Sequence, residues 1–508
     1  MKLQGQPFEL LVTLLEQAGE IVTRDELRQK IWPSDAAGDF DHGLNRAVNK
    51  VREALGDSAE TPRFVETLPR RGYRFIGSIE KASDAGVRLG PGERHDDSGD
   101  ARPEGFWIAV LPFKCGAVAS LAALAEGITD DIVTGLARFS YLRVISRSLG
   151  AGYTSEAVDA CTAGKKLGAR YVIHGSVRQA GSTCRIAAQL VDTVSGSELW
   201  AEIYDRSLRP ESNFELQDDV VPRIVSTVAD THGILPHSTS EALRNRDPGE
   251  LTPYEAVLRS FAHFRRLNPS EHAAARTALE RAVEQAAGQS DCWAMLSMLY
   301  REEYAHGFNL KPDPLGRALA AAQRAVELAP SSHLAYHALA STLFFRREFP
   351  GFRNAAERAI ELNPMDGFAG GYLGFMIAYA GDWDRGCAVA HHSMTRLNPH
   401  HPGWYWFPFF FNAYRKGDYS AALGFATKIN MPGFWRTQVA FASAYGQLAQ
   451  YNAAGDAVGN LLAIKPDFAA NAREELSKWW DSDLVERLVD GLRKAGLAVG
   501  GAPSVSQL

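Results

Sequence analysis

A short phrase that ends in proline recurs through the second half of the chain: VELAP (326–330), IELNP (360–364), TRLNP (395–399), KINMP (428–432) and LAIKP (462–466). Its prolines follow one another at intervals of 34, 35, 33 and 34 residues. The segments between them are Ala-rich and have no strand pattern, and proline does not continue a helix. A fixed period of this length predicts a stack of helix-turn-helix units.

The periodic segment resembles tetratricopeptide repeats (TPR). The resemblance implies an α-solenoid over residues 251–500, with a degenerate unit around residues 292–304 and an insertion at residues 306–314 before the regular array. It also implies that the first helix of each unit lines an inner groove. We expect a protein or peptide partner to bind there.

An aromatic run, WYWFPFFF (404–411), lies inside that array. Pro408 lacks a backbone donor and is predicted to bend or interrupt its helix. The TPR register places Tyr405 and Phe407 nearer the groove side, where aromatic side chains are frequent anchors of a bound partner. The alternative is that the whole run is buried core.

Residues 106–235 alternate between strand and helix patterns. The segment 171–206 predicts three strands, because two turns at residues 180–182 and 195–197 interrupt its β-branched and aromatic alternation. A small α/β domain is therefore predicted, and it resembles the N-terminal domain of TolB. The polar, Gly-rich stretch 80–105 precedes it and predicts a flexible linker.

The first eighty residues predict three helices and a basic β-hairpin. An amphipathic helix covers residues 6–19, and a capping box formed by Thr23 and Glu26 opens the second helix. The third helix, HGLNRAVNKVREALG (42–56), has apolar residues on one stripe and polar residues on the opposite face. The hairpin covers residues 63–77, with arginines at its tip. These are the parts of a winged helix-turn-helix.

The segments TRDELRQKIW (23–32), LNRAVNKVREALGD (44–57) and FVETLPRRGYRFIG (64–77) resemble the OmpR/PhoB-type DNA-binding domain. The resemblance covers residues 1–79. It implies that the third helix enters the major groove of double-stranded DNA and that the hairpin is the wing. The family usually opens with a small antiparallel sheet, and only KLQG precedes the first helix here, so we expect those strands to be missing from this sequence.

The resemblance assigns DNA contacts to six side chains: Arg46, Asn49 and Lys50 on the third helix, and Arg70, Arg71 and Arg74 on the wing. Arg and Asn can pair bidentately with base edges, whereas Lys and wing Arg neutralise phosphates. The alternative interpretation is that Arg46, Asn49 and Lys50 only form the solvated face of a surface helix. Residues 1–80 hold 11 Lys+Arg against 13 Asp+Glu, but residues 42–77 hold seven against four.

The net charge, the cysteines and the absence of certain motifs argue against several classes of protein. The formal net charge of −6 provides no overall positive field, so a nucleic-acid site must be local. The five cysteines are far apart, which argues against a disulfide framework and is typical of a reducing cytoplasm. No membrane span, catalytic motif, cofactor motif or metal-ligand spacing occurs, so we expect neither an enzyme nor a metal protein.

The sequence thus predicts a multidomain protein, α/β plus all-α, that works as a cytoplasmic one-component transcriptional regulator. In this interpretation a winged helix binds DNA, a TPR solenoid receives a protein or peptide signal, and the α/β domain couples or positions the two. The alternative is a TPR scaffold protein whose winged helix makes protein contacts only.

Overall fold

The computed structural model describes residues 6–16, 21–31, 40–55, 57–58, 62, 64–68, 72–76, 106–116, 119–146, 159–207 and 213–500. The chain divides into two compact units, Met1–Ala101 and Arg102–Leu508. The predicted linker 80–105 lies outside the described residues. Among the described helices, none combines the length and the apolar character that crossing a membrane requires.

The first unit contains three helices and a three-stranded antiparallel sheet. Its elements are α1 Gln6–Glu16, β1 Ile21–Thr23, α2 Arg24–Ile31, α3 Phe40–Leu55, β2 Val65–Leu68 and β3 Gly72–Phe75. The strand order is β1-β3-β2. The predicted helices and hairpin are therefore present, and β1 adds a strand that the sequence does not predict because three residues are too few to show an alternation.

Local contacts explain how this unit is built. The capping box is confirmed: the backbone N–H of Thr23 donates to Glu26 Oε2 at 2.8 Å, and the N–H of Glu26 donates to Thr23 Oγ1 at 3.3 Å. Gly72 lies so close to β1 that a Cβ there would be 2.0 Å from the carbonyl oxygen of Val22. Apolar side chains from all three helices and the three strands form one core: Leu10, Leu14, Val22, Leu27, Leu44, Ala47, Val48, Val51, Val65, Tyr73 and Phe75.

The second unit begins with an α/β part. Its elements are β4 Trp107–Val110, β5 Lys114–Cys115, α4 Ala119–Leu136, β6 Arg143–Val144, α5 Ala160–Leu167, β7 Tyr171–Ala180, β8 Thr183–Asp192, β9 Glu198–Ser207, α6 Asn213–Ala229 and α7 Ile234–Leu243. The sheet has the order β6-β4-β7-β8-β9, and β5 also pairs with β7. The three predicted strands are confirmed as the antiparallel β7, β8 and β9.

Helix pairs fill residues 251–500, all of which the structure describes. They are α8 Pro253–Arg266, α9 Pro269–Gln285, α10 Ser290–His306, α11 Pro314–Leu328, α12 His333–Phe345, α13 Phe349–Leu362, α14 Gly367–Tyr379, α15 Trp383–His392, α16 Phe407–Arg415, α17 Tyr419–Ile429, α18 Trp435–Gln447, α19 Tyr451–Ile464, α20 Phe468–Ser477 and α21 Ser482–Lys494. The predicted insertion is the connection between α10 and α11. The fold is a TPR-like helical solenoid, as the period of the sequence predicts.

The α/β part and the first helix pairs share one hydrophobic core. The hydroxyl of Tyr254 in α8 donates to the carbonyl of Tyr141 at 3.0 Å, and Ser140 Oγ donates to Asp291 Oδ1 in α10 at 2.7 Å. The sequence suggests a domain boundary between residues 235 and 251. In the structure the residues on both sides of that boundary belong to one compact unit and share the hydrophobic core.

Candidate nucleic-acid interface and central cavity

Helix α3 presents the three predicted contact residues on its open face. Arg46, Asn49 and Lys50 are exposed, and they lie within about one turn of one another. On the opposite side Leu44 and Val48 are 0% and 2% exposed. The hydrophobic stripe therefore fixes which face of α3 is buried, and the basic and amide side chains remain available to a ligand outside the protein.

A buried arginine fixes α3 to the sheet. Arg52 is 7% exposed, and its Nη2 donates to the carbonyl of Val65 at 2.8 Å and to Thr67 Oγ1 at 2.7 Å, both in β2. From the sequence alone, Arg52 is only one of the seven positive charges of residues 42–77. Its position beside Val51 in the apolar stripe is the only sequence signal of a buried role, and it is weak.

A second contact joins the start of α3 to the central strand. The Tyr73 hydroxyl donates to Asn45 Oδ1 at 2.9 Å, and Arg24 Nη2 donates to the same oxygen at 3.4 Å. The Arg24 guanidinium also lies 5.9 Å from the centre of the Tyr73 ring. Sequence analysis missed this group because its members are far apart in the chain. It holds the exposed face of α3 in one orientation.

Only one of the three predicted wing arginines lies in the described residues. Arg74 in β3 pairs across the hairpin with Glu66 in β2, and both its Nε and Nη2 donate to Glu66 Oε2, at 2.9 and 2.6 Å. Its charge is thus compensated within the protein. Arg70 and Arg71 lie outside the described residues.

The aromatic run in the repeats has two different environments. Tyr405 is 1% exposed; its hydroxyl donates to the carbonyl of Gly367 at 2.7 Å, and its ring fills the space that a side chain at Gly371 would occupy. Phe407 is 3% exposed but lines a central cavity of the second unit. Pro408 stands in the first turn of α16, after a separate 3-10 turn, so the predicted interruption is confirmed.

The cavity lies among the first helices of successive repeats, is partly open to solvent and has a volume of about 60 Å³. Its wall is largely aromatic and apolar and includes a few charged groups. The lining residues are His232, Phe264, Leu267, Met298, Arg301, Glu302, His306, His337, Phe368, Tyr372, Phe375, Trp404, Phe407, Met431, Phe434 and Arg436. A mostly apolar wall with a few convergent polar groups is typical of a small-molecule site.

One buried carboxylate in this wall, that of Glu302, lies close to an arginine and a histidine. Arg301 Nη2 lies 2.8 Å from Glu302 Oε1, and His306 Nε2 lies 3.0 Å from Glu302 Oε2. Burial lowers the pKa of His306 well below its usual range, and nearby arginines lower it further. His306 is therefore neutral and adds no charge to the cavity wall.

The other cavity histidines are neutral as well. Burial lowers the pKa of His337 to about 3, and burial together with the charge of Arg265 lowers that of His232 to about 4. Besides these histidines, the acidic and basic residues of the cavity wall are Arg301, Arg436 and Glu302. The sequence does not predict this group, because no motif links Arg436 to Arg301 and Glu302, which lie more than a hundred positions earlier in the chain.

Two family models match this chain, one in the N-terminal domain and one in the α/β part. Residues 1–75 match the family model described as transcriptional regulatory protein, C terminal. Residues 104–226 match the model described as HilA/YgeH-like transcriptional regulator, second domain. The N-terminal domain is thus of the OmpR/PhoB type, as its motifs predict, and the α/β part is similar to a domain of transcriptional regulators.

Curated relatives match shorter stretches. Putative adenylate cyclase 3 of Rhizobium meliloti is 34% identical over 244 residues, which are 47% of this chain and 40% of the relative. The cholera toxin homolog transcriptional activator of Vibrio parahaemolyticus is 34% identical over 83 residues, 16% of this chain and 28% of the relative. Transcriptional regulator HilA of Salmonella typhimurium is 29% identical over 133 residues, 26% of this chain and 20% of the relative. The chain spans less than half the length of each.

Proposed function

We propose that this chain is a sequence-specific, DNA-binding transcriptional regulator that recognises DNA through α3 and receives its signal through the helical unit. One observation carries the proposal: in a domain similar to those of transcriptional regulators, α3 is anchored by its apolar stripe and Arg52 and leaves Arg46, Asn49 and Lys50 exposed together.

The chemistry of these side chains suits the major groove. The guanidinium of Arg46 can donate two hydrogen bonds to guanine, and the amide of Asn49 can pair with both polar edge atoms of adenine. Lys50, one turn after Arg46, can reach a phosphate, which adds affinity without reading the base. Arg70 and Arg71 are proposed wing contacts, and Arg74 contributes less because Glu66 compensates its charge.

We infer no enzymatic activity, although one relative bears the name of a putative adenylate cyclase. The similarity to the Vibrio activator and to HilA favours a regulator instead. The proposed partners are double-stranded DNA for the first unit and a signal molecule, whether protein, peptide or small ligand, for the second.

The first experiment is a selection of bound duplexes from a random pool, followed by anisotropy titrations with the full chain at several salt concentrations. The proposal predicts that the logarithm of affinity falls linearly with the logarithm of salt concentration, and that Lys50→Ala lowers the slope by about one unit. Arg178→Ala is the matched control, because it removes an exposed positive charge from β7 in the other unit and should leave the slope unchanged.

A scaffold protein would give a different result. It would select no sequence from the pool and show no salt-dependent affinity for any duplex. That result would contradict the proposed function and favour protein contacts by the winged helix.

A further inference from the structure

Arg436 has an unusual position in the cavity wall. It is the second residue of α18 and is 6% exposed. Its guanidinium carbon lies 3.7 Å from the centre of a Trp479 ring, 4.7 Å from that of Phe434 and 5.9 Å from that of Phe407. The charged group is thus surrounded by aromatic rings.

Within the part of the chain that the structure describes, no hydrogen-bond acceptor or carboxylate pairs with this guanidinium, and its Nε is buried without a partner. The carboxylate in the same wall, Glu302, is already paired with Arg301, whose Nη2 lies 2.8 Å from its Oε1. With the histidines neutral, the two arginines and one glutamate leave the cavity wall with one uncompensated positive charge.

A buried charge without a counter-ion is energetically costly. Contacts with aromatic rings offset only part of the free energy that the desolvation of a guanidinium costs. Burial lowers the pKa of Arg436 to about 10, so the side chain nevertheless remains protonated at neutral pH. The cavity therefore attracts an anion.

We propose that the cavity binds a small organic monocarboxylate with a flat, apolar body, whose carboxylate pairs with Arg436. A single excess positive charge is balanced by a single negative charge, which favours a carboxylate over a phosphate dianion. The planar guanidinium also matches the geometry of a carboxylate. The body of the ligand lies against the aromatic wall that Phe368, Phe375 and Trp404 form.

This binding step goes beyond the proposed function and does not depend on it. Only its use as the regulatory signal rests on the proposed function. Phe407, which the sequence analysis assigned to partner binding, is part of the same wall, so the predicted site and the cavity coincide at this residue. Tyr405 does not line the cavity.

The test uses the full chain without DNA and a series of arylalkanoic acids, from phenylacetate to 4-phenylbutyrate, each compared with its uncharged amide by calorimetric titration. We expect at least one acid to bind at least tenfold more tightly than its amide. Arg436→Gln should abolish that difference, and Arg436→Lys, which keeps the charge, should retain part of it.

Arg415→Gln is the matched control, because this guanidinium also lies over an aromatic ring, 4.9 Å from Trp383, but does not line the cavity. It should bind the acids as the unchanged chain does. The proposal is overturned if no acid binds more tightly than its amide, or if Arg436→Gln retains the preference. This test contains no DNA, so a failure to bind the acids does not contradict the proposed DNA binding. A failure of the DNA titrations likewise does not contradict the binding of an acid in the cavity.

Discussion

The two compact units place their candidate functional residues in opposite environments. In the first unit Arg46, Asn49 and Lys50 are exposed. In the second unit Arg301, Glu302 and Arg436 are 2%, 3% and 6% exposed inside the repeats. We therefore expect substitutions of the exposed residues in the first unit to change ligand binding without changing stability. In the second unit we expect the buried side chains to affect both ligand binding and stability.

The largest expected effect is at the buried ion pair. Arg301→Met leaves Glu302 without its arginine, and removal of one partner from a buried pair costs about 3–5 kcal/mol of unfolding free energy. Urea unfolding followed by tryptophan fluorescence measures it, because nine of the ten tryptophans follow residue 102. The double variant Arg301→Met, Glu302→Gln should recover much of the loss, and a double variant no more stable than Arg301→Met would contradict this account.

The buried histidines should make the second unit sensitive to acid. A histidine whose pKa is about 3 when folded and about 6.5 when unfolded contributes stability that is present above pH 6.5 and is lost as pH falls toward 3. For His337 the loss between pH 7 and pH 5 is about 2 kcal/mol. His337→Phe should flatten the pH dependence of the urea midpoint in that range, and an unchanged dependence would show that His337 is not buried in its neutral form.

An effect of comparable size is expected at Arg52, the one buried cation that the described part of the first unit uses to hold α3. Arg52→Ala removes two hydrogen bonds to β2 and should cost about 1.5–3 kcal/mol. Hydrogen exchange of backbone amides in α3 and β2 measures this locally. Protection in the helical unit is the internal control and should not change.

Tyr405 distinguishes a structural role from partner binding. Tyr405→Phe removes only the hydroxyl that donates to Gly367 and should lower the unfolding free energy of the second unit by about 0.5–1.5 kcal/mol. Affinity for the acids that bind the cavity should stay the same. A loss of ligand binding with unchanged stability would return Tyr405 to the partner-binding site that its sequence position suggests.

The smallest effects on stability belong to the DNA-contact candidates. Arg46→Ala and Lys50→Ala should change the unfolding free energy of the first unit by less than about 0.5 kcal/mol, because both side chains are exposed. Hydrogen exchange of α3 is again the measurement. A large loss of protection would show that binding and stability are not separable in this unit either.

Sequence patterns were informative where they are local. The period of about 34 residues predicted the helix pairs, and the apolar stripe of α3 predicted which face is exposed. The capping box at Thr23 and the interruption at Pro408 were also predicted, because each depends on a few adjacent residues.

Contacts between distant segments were not predictable in this way. Three features join residues that have no fixed spacing in the sequence. They are the pairing of Arg52 with β2, the cavity around Arg436, and the core that the sheet shares with the first repeats. The TPR register gave Tyr405 and Phe407 the same orientation, yet the 3-10 turn before α16 separates them, so that Tyr405 packs against Gly371 and Phe407 faces the cavity.

The most direct test of the central claim, that α3 recognises bases, compares affinities for a selected duplex and a random duplex at one fixed salt concentration. Arg46→Ala and Asn49→Ala should each reduce the discrimination by about 1–3 kcal/mol, whereas Lys50→Ala should weaken both duplexes alike. If both base-contact variants kept the full discrimination of the unchanged chain, α3 would not be the element that recognises the sequence.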